Sequence, residues 1–261
     1  MRTDVWKRVR RGLVQYARAH GVILGQVDVT IRVLRRIVAM SGSMVVGRRF
    51  LYRLGCALLE RTPHLFVPVC PDYSHEDGKY TYKDLRNGLP LLYLKHKPFL
   101  LELESFLPSL KITILLADHE GDLPELRVAL NVSLETFRAN VEGSKYAISS
   151  DCPAHWNVTT FSEKFPGFSQ HALERANKIF QEHKYLRRFA HDTSVRRELY
   201  EKIGYHHSIQ FERTAHVAAQ YLCLGEQVAL EHGIICNHMT TSLSWYVDAG
   251  VAFVQNPVKI Y

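Results

Sequence analysis

Short apolar runs that end in polar segments place the strongest constraint on the fold of this chain. Residues 65–69 and 111–117 are the clearest runs, and weaker strand patterns occur at residues 156–161, 234–236 and 250–254. Apolar runs of this length are typical of strands that are buried on both faces of a parallel sheet. Because helical patterns alternate with them, the sequence predicts an α/β layered fold with a mainly parallel sheet.

The helical patterns separate an N-terminal part from a main part. The first part is predicted to hold three helices, at residues 6–19, 29–39 and 44–59. Further helices are predicted at residues 82–107 (interrupted at Pro90 and Pro98), from the N-cap Ser133 onward, and at 169–189, 194–203 and 209–232. Residues 70–78 are predicted to form a polar loop. We therefore predict a helical extension over residues 1–62 and one main domain over residues 63–261.

Basic residues are concentrated at the start of the chain. Thirteen lysines and arginines but only three acids lie within residues 1–61, whereas the remainder is close to neutral. An electropositive segment beside a near-neutral body is typical of a surface that docks a polyanion such as nucleic acid. The candidate phosphate contacts are three arginine pairs: Arg10, Arg11, Arg35, Arg36, Arg48 and Arg49.

Several common functional signatures are missing from the sequence. The five cysteines are widely spaced and form no Cys-x-x-Cys pair, so neither a disulfide framework nor a structural zinc site is expected. Glycine-rich phosphate loops, zinc-hydrolase motifs and nucleophile-elbow motifs do not occur. No apolar run is as long as the roughly 18 residues of a membrane helix, and we expect a soluble, cytoplasmic protein.

Polar side chains follow the two clearest strands, where ligands bind in parallel α/β folds. Asp118, Glu120 and Asp122 follow the second strand, and these acids suit either a divalent metal or a cationic group of a substrate. Because no phosphate-binding motif accompanies them, the cationic substrate is favoured over a metal. After the first strand, Asp72 is a candidate for substrate binding, and Ser74 is a candidate nucleophile that accepts an acyl group.

A carboxylate, Glu226, lies within the apolar stripe of the predicted helix 209–232. Leu222, Cys223, Ala229 and Leu230 lie three or four positions away and therefore share its helix face. The pattern predicts a buried carboxyl, which is costly unless it is paired, and whose pKa is usually raised. Such a group serves either as a proton shuttle or as the structural partner of an arginine or histidine.

Two tyrosines are candidate partners of Glu226. Tyr221 precedes it by five residues, which is about 140° on a regular helix, unless a bulge at Gly225 rotates the two side chains together. Tyr246 follows the next predicted strand. A phenol and a carboxyl close to an acyl ester can transfer protons, although core packing is the commoner role of a tyrosine.

Four segments in this order resemble the tRNA-dependent cyclodipeptide synthases. They are Asn-Val-Thr-Thr-Phe-Ser-Glu at residues 157–163, the charged helix at 174–189, Ala-Gln-Tyr-Leu-Cys-Leu-Gly-Glu at 219–226 and Ser-Trp-Tyr-Val at 244–247. The resemblance implies a Rossmann-like three-layer fold related to class I tyrosyl- and tryptophanyl-tRNA synthetases, without an ATP site or other cofactor. It also implies that two aminoacyl-tRNAs are joined into a diketopiperazine.

The resemblance assigns a role to each candidate residue. Ser74 accepts the aminoacyl group, Glu226 relays protons, Tyr246 assists cyclisation and Tyr221 orients the α-amino group. The basic N-terminal helices grip the tRNA phosphates. Two departures stand out, since the family usually spaces its helical tyrosine and glutamate by four residues and places its serine in a Gly-x-Ser context.

A fungal class of this family makes arginine-containing products, and membership of that class would suit the acidic cluster after the second strand, because carboxylates pair well with a guanidinium. Two alternatives of other kinds remain open. One is a metal-dependent nuclease or phosphotransferase that uses Asp118, Glu120 and Asp122. The other is a noncatalytic RNA-binding protein that uses the basic N-terminus alone.

Overall fold

The computed structural model describes residues 3–40, 48–59, 62–70, 73–76, 79–82, 89–122, 133–182, 207–237, 246 and 249–256. Its helices are α1 (Thr3–Ala19), α2 (Leu24–Met40), α3 (Arg48–Leu59), α4 (Leu91–Phe106), α5 (Leu134–Asp151), α6 (Phe161–Lys164), α7 (Phe168–Glu182) and α8 (His207–Leu230). Its strands are β1 (His64–Val69), β2 (Tyr73–Glu76), β3 (Lys79–Tyr82), β4 (Lys111–Leu116), β5 (Asn157–Thr160), β6 (Ile234–Asn237) and β7 (Ala252–Gln255).

Five of the strands form a parallel sheet in the order β5-β4-β1-β6-β7. In its registers, Leu65 of β1 pairs with Ile234 of β6, which in turn pairs with Ala252 of β7. Helices connect the strands and flank the sheet, as in Rossmann-like three-layer folds. The predicted α/β fold with a parallel sheet is therefore confirmed.

The two clearest strand predictions are confirmed almost to the residue, for the reason the sequence suggested. Leu65 to Val69 of β1 are all buried, and so are Ile112 to Leu116 of β4. The side chains on both faces of these strands are buried from solvent, because helices flank the parallel sheet. A continuous apolar run is the pattern that such burial requires.

The chain divides into two compact units. The first comprises Met1–Pro68, Lys95–Thr113 and Gly225–Tyr261, and the second comprises Val69–Leu94 and Ile114–Leu224. In the first unit, α1, α2 and α3 pack against one another around buried residues such as Leu13, Leu34 and Leu54. The division does not follow the predicted boundary between residues 62 and 63, which stays a prediction.

Two local predictions were wrong. The segment predicted as a polar loop contains a two-stranded antiparallel hairpin, in which Tyr73 of β2 pairs with Tyr82 of β3 and Glu76 pairs with Lys79. Alternating tyrosine and threonine around an Asp-Gly pair is a pattern that favours a two-residue hairpin turn. The helix predicted for residues 82–107 was expected to be interrupted at Pro90, and α4 does begin directly after Pro90, at Leu91; Tyr82 belongs to β3, and residues 83–88 lie outside the described residues.

The second interruption, expected at Pro98, is absent, since α4 continues through this proline. A proline inside a helix removes one backbone hydrogen bond and crowds the preceding turn. Here the helix buries Tyr93, Leu100 and Leu103 almost completely, and this packing offsets the local cost. Packing therefore overrides the local preference of the proline.

The Ser133 cap is confirmed, because its hydroxyl accepts a hydrogen bond from the Thr136 N–H at the start of α5. The predicted helix at residues 194–203 lies outside the described residues, as does the end of the one predicted at 169–189. Among the helices that the structure describes, none is long and apolar enough to cross a membrane.

Candidate functional site

A short 3-10 turn, Asp118–Asp122, follows β4 in the second unit. Gly121 allows this turn to pack closely, because a β-carbon there would lie 2.4 Å from Cδ1 of Phe137, a fully buried residue of α5. The turn thereby fixes two of the three predicted acids, Asp118 and Asp122, at the carboxyl end of β4. The side chain of Glu120 lies outside the described residues.

Both carboxylates have partners within the protein. Asp118 is half-buried, and its Oδ1 accepts a hydrogen bond of 3.1 Å from the Ser162 N–H. Asp122 Oδ2 accepts one of 2.9 Å from the Ser169 hydroxyl, and Arg138 lies 4.0 Å from its other oxygen. Within the described ranges, no three His, Cys, Asp or Glu side chains are arranged to hold a metal ion.

His119, between the two acids, is the polar group that the sequence analysis missed. The residue is only 5% exposed, and its ring lies against Phe161 at 4.8 Å and edge-on to Phe168 at 5.0 Å between centroids. Among the described residues, neither ring nitrogen meets a partner at hydrogen-bond geometry. The Gln220 side chain lies beside the ring, close enough for a weak hydrogen-bonding interaction but without the geometry of a full hydrogen bond.

Burial lowers the pKa of His119 to about 4, and the nearby charge of Asp118 only partly opposes this shift. The imidazole is therefore neutral at pH 7, with one nitrogen that donates and one that accepts a hydrogen bond. A buried polar group without a partner is costly, and it is a common feature of ligand sites.

His119 opens onto a pocket of about 190 Å³ within the second unit. The polar lining residues are His119, Asp122, Ser169, Gln170 and Gln220. These groups provide a carboxylate, an uncharged imidazole, a hydroxyl and two amides. Such a set suits a small ligand group that carries N–H donors. The role of the acidic cluster in binding a cationic substrate stays a prediction.

The glutamate predicted to be catalytic lies on α8, which is an unbroken helix through Gly225. Leu222 and Cys223 are buried, but Glu226 itself is only half-buried and Leu230 is 75% exposed. The expectation of a fully buried carboxyl was therefore wrong, because the apolar stripe of the helix continues beyond the packed core. Without a bulge at Gly225, the five-residue step from Tyr221 remains about 140° on the helix.

Tyr246 packs against α8 at Gly225, the residue before Glu226, within the first unit. Its ring is fully buried, and its Cδ1 lies 3.4 Å from the point where a β-carbon on Gly225 would be. The Tyr246 ring also lies 6.4 Å from that of Phe253 on β7. Glu226 and Tyr246, two of the four predicted catalytic residues, therefore belong to the same compact unit.

The other two predicted catalytic residues belong to the second unit. Tyr221 is half-buried on α8. Ser74 lies on β2, where its backbone pairs with Thr81, and its side chain is outside the described residues. Asp72 also lies outside them.

Several of the predicted phosphate-binding arginines make contacts inside the first unit. Arg10 donates to Asp28 at 2.8 Å, which raises the pKa of Arg10 and lowers that of Asp28. The Arg35 guanidinium lies over the ring of Trp6, with its central carbon 5.3 Å from the ring centroid. Both arginines remain exposed to solvent.

The remaining arginines of this set are distributed over α1, α2 and α3. Arg36 lies over the Phe106 ring at 4.3 Å, with Glu102 at 3.9 Å. Arg11 and Arg49 are exposed, and the side chain of Arg48 lies outside the described residues. Their role in binding RNA stays a prediction.

Cys236, His96 and Asn256 form a buried cluster in the first unit that superficially suggests nucleophilic catalysis. Cys236 Sγ lies 3.5 Å from His96 Nδ1, and the Asn256 amide nitrogen lies 2.9 Å from the same atom. Burial raises the pKa of the Cys236 thiol, so it stays protonated. A fully buried thiol of this kind is a structural group rather than a nucleophile.

Comparison with known proteins adds a likeness in fold to a solved structure. No protein-family model matches the chain, and no curated protein is significantly similar to it in sequence. Among solved structures, the chain is similar to the PvcA protein from Pseudomonas aeruginosa, with a TM-score of 0.44 and 17% sequence identity. The match covers 92% of this chain and 81% of that chain.

Proposed function

We propose that this protein is an aminoacyltransferase of the cyclodipeptide synthase kind, which forms a diketopiperazine from two aminoacyl-tRNAs. The observation that carries the proposal is the packing of the Tyr246 ring on α8 at Gly225, the residue before Glu226. This packing holds the Tyr246 ring in the same compact unit as the half-buried Glu226 carboxyl, which supports a reaction that uses both side chains. The parallel α/β fold is compatible with the family that the sequence resembles.

In the proposed reaction, Ser74 takes the first aminoacyl group from its tRNA ester, and the tRNA hydroxyl leaves. Glu226 accepts a proton from the α-amino group of the Ser74-bound residue as this amine attacks the second ester, and the second tRNA hydroxyl leaves. Tyr246 assists ring closure, in which the second α-amino group attacks the Ser74 ester and the serine hydroxyl is released. No ATP is required, because both amino acids arrive as activated esters. Tyr221 orients an α-amino group, and the N-terminal arginines contact tRNA phosphates.

The substrate pocket proposed for an aminoacyl side chain is the one that His119 and Asp122 line. Its acceptors favour a side chain that carries N–H groups, which includes arginine. The neutral state of His119 supports this assignment, because an imidazolium would repel a cationic side chain. The carboxylate of Asp122 in the pocket lining and that of Asp118 in the same turn attract it.

The test is an assay of purified protein with charged tRNAs, in which mass spectrometry detects any diketopiperazine. Glu226→Gln should reduce product at least a hundredfold, as expected for loss of a general base. Glu231→Gln, an exposed glutamate just beyond the same helix, is the matched control and should keep activity. Absence of any diketopiperazine from the wild-type protein with the full set of charged tRNAs would refute the proposal.

A further inference from the structure

A second pocket, of about 310 Å³, lies within the first unit and contains none of the residues predicted to be functional. The end of α1, the middle of α3, the end of α8 and the start of β7 form it. Its side chains with polar groups are Tyr16, His20, Tyr52, Arg53, Cys56 and His232. Its volume lies at the lower end of the range for small-ligand pockets, about 300–1,000 Å³.

The polar groups that line this pocket favour an anion. One guanidinium, Arg53, and two imidazoles, His20 and His232, line it, and no Asp or Glu is among its described lining residues. Arg53 Nη2 lies 4.0 Å from the point where a β-carbon on Gly250 would be. Gly250 has a φ of 78°, which favours glycine, so the surface beside the guanidinium is bare backbone that a ligand can approach.

An aromatic pair provides a flat surface in the same pocket. The rings of Tyr16 and His20 are stacked, with centroids 4.0 Å apart and planes inclined by 19°. His20 Nδ1 lies 2.9 Å from the Tyr16 carbonyl oxygen, so this nitrogen donates and the ring is held in place. Burial and a hydrogen bond with Cys56 raise the pKa of Tyr52, whose phenol therefore keeps its proton as a donor.

We propose that this pocket binds one nucleotide, with its phosphate on Arg53 and its base stacked on the Tyr16–His20 pair. An arginine fork matches phosphate oxygens, and aromatic rings stack on any base. The nucleotide is either a free mononucleotide or one unit of an RNA strand, which share this chemistry. The proposal does not depend on the proposed function, because binding to the pocket can be measured without any charged tRNA.

The experiment is calorimetric titration of the full chain with AMP, adenosine and inorganic phosphate, and with a six-nucleotide single-stranded RNA. AMP is expected to bind more tightly than adenosine or phosphate, since only AMP offers both groups. Arg53→Gln should weaken AMP binding about tenfold or more, as loss of a charge-assisted hydrogen bond does. His20→Ala should weaken it at least about fivefold through lost stacking.

Arg32→Gln, which removes an exposed arginine of α2 outside the pocket, is the matched charge control and should bind AMP as the wild type does. If the RNA also binds and loses affinity with Arg53→Gln, an RNA strand is the ligand; if only AMP binds, it is a free nucleotide. The proposal is overturned if neither probe binds, if phosphate or adenosine binds as tightly as AMP, or if Arg53→Gln and His20→Ala bind like the control. Thermal unfolding of each variant verifies that it is folded.

Discussion

Gly225 and Ala249 approach each other so closely that a β-carbon on Gly225 would lie 2.6 Å from the β-carbon of Ala249. Glycine inside a helix usually costs about 1 kcal/mol relative to alanine. Its presence in α8 is therefore explained by this contact and by the Tyr246 ring on the same side. The close packing also fixes the backbone that precedes Glu226.

The first prediction concerns Gly225→Ala. We expect the free energy of unfolding to fall by about 1–3 kcal/mol, because the added methyl group would clash with the β-carbon of Ala249 and the packing must shift. Diketopiperazine formation should fall as well, because relief of the clash with Ala249 shifts the backbone that precedes Glu226. Gly143→Ala is the matched control: a β-carbon at Gly143 in α5 meets nothing within 4 Å, so this change should stabilise by about 0.5–1 kcal/mol. Urea unfolding of both variants measures the difference, and equal effects would contradict the packing argument.

The sequence predicted the parts of the fold that depend on continuous apolar patterns. β1 and β4 were predicted correctly because burial on both sheet faces leaves a direct trace in the sequence. Pro98 was misjudged because a local rule cannot take account of the packing of Tyr93 and Leu100. The hairpin of β2 and β3 could have been predicted from Asp77-Gly78, which is a known two-residue turn pair.

The candidate site was only partly predictable. Asp118 and Asp122 were found because acids at a strand end form a visible pattern. His119 was missed because its importance comes from its burial against Phe161 and Phe168, which are more than 40 residues away in the sequence. Leu230 shows the opposite error, because it belongs to the apolar stripe of α8 but is exposed to solvent. An apolar stripe in the sequence does not show at which residue the core that covers the helix ends.

The second prediction concerns the buried phenol of Tyr93, which donates a 2.8 Å hydrogen bond to Asp151 at the end of α5. Tyr93→Phe should lower the free energy of unfolding by about 1–2 kcal/mol, because a hydrogen bond to a charged group is lost. Tyr146→Phe, at a residue that is 77% exposed, should change it by less than about 0.5 kcal/mol. A Tyr93→Phe variant as stable as the wild type in chemical denaturation would show that this bond adds nothing.

The third prediction concerns the capping box of α6, in which Thr160 and Glu163 bond each other's backbone N–H. Hydrogen bonds from Lys145, Thr159 and the Thr160 N–H lower the pKa of Glu163 to about 2. A lowered carboxyl pKa stabilises the folded state above the unfolded pKa of about 4.3, and this contribution is lost as the pH falls towards 2.

Because 48% of the Glu163 side chain is exposed, solvent screening limits the effect to roughly 1 kcal/mol. Glu163→Gln should therefore be less stable than the wild type at pH 7, and the two proteins should converge near pH 2. Glu142→Gln, at an exposed glutamate of α5, is the matched control. Unfolding curves from pH 7 to pH 2 test the prediction, and a constant difference between Glu163→Gln and the wild type would exclude it.

The last prediction concerns the neutral imidazole of His119. Its pKa lies at about 4 in the folded protein, compared with an ordinary value of 6.5, because burial disfavours the charged form. Between these two pH values the unfolded chain binds more protons than the folded protein. The free energy of unfolding is therefore unaffected by this histidine above pH 6.5 and falls as the pH drops towards 4. At about 1.4 kcal/mol per unit of pKa, the full shift corresponds to about 3.5 kcal/mol, of which about 3 kcal/mol should be lost by pH 4.

His119→Gln replaces the imidazole with an uncharged amide and should remove this part of the pH dependence, whatever its stability at pH 7. His171→Gln, at an exposed histidine of α7 outside the pocket, should follow the wild-type profile. Denaturant unfolding at half-unit steps from pH 7.5 to pH 4 gives the slopes. If His119→Gln and the wild type lose stability in parallel, the histidine is not held neutral by burial, and it would then repel the cationic side chain proposed for its pocket.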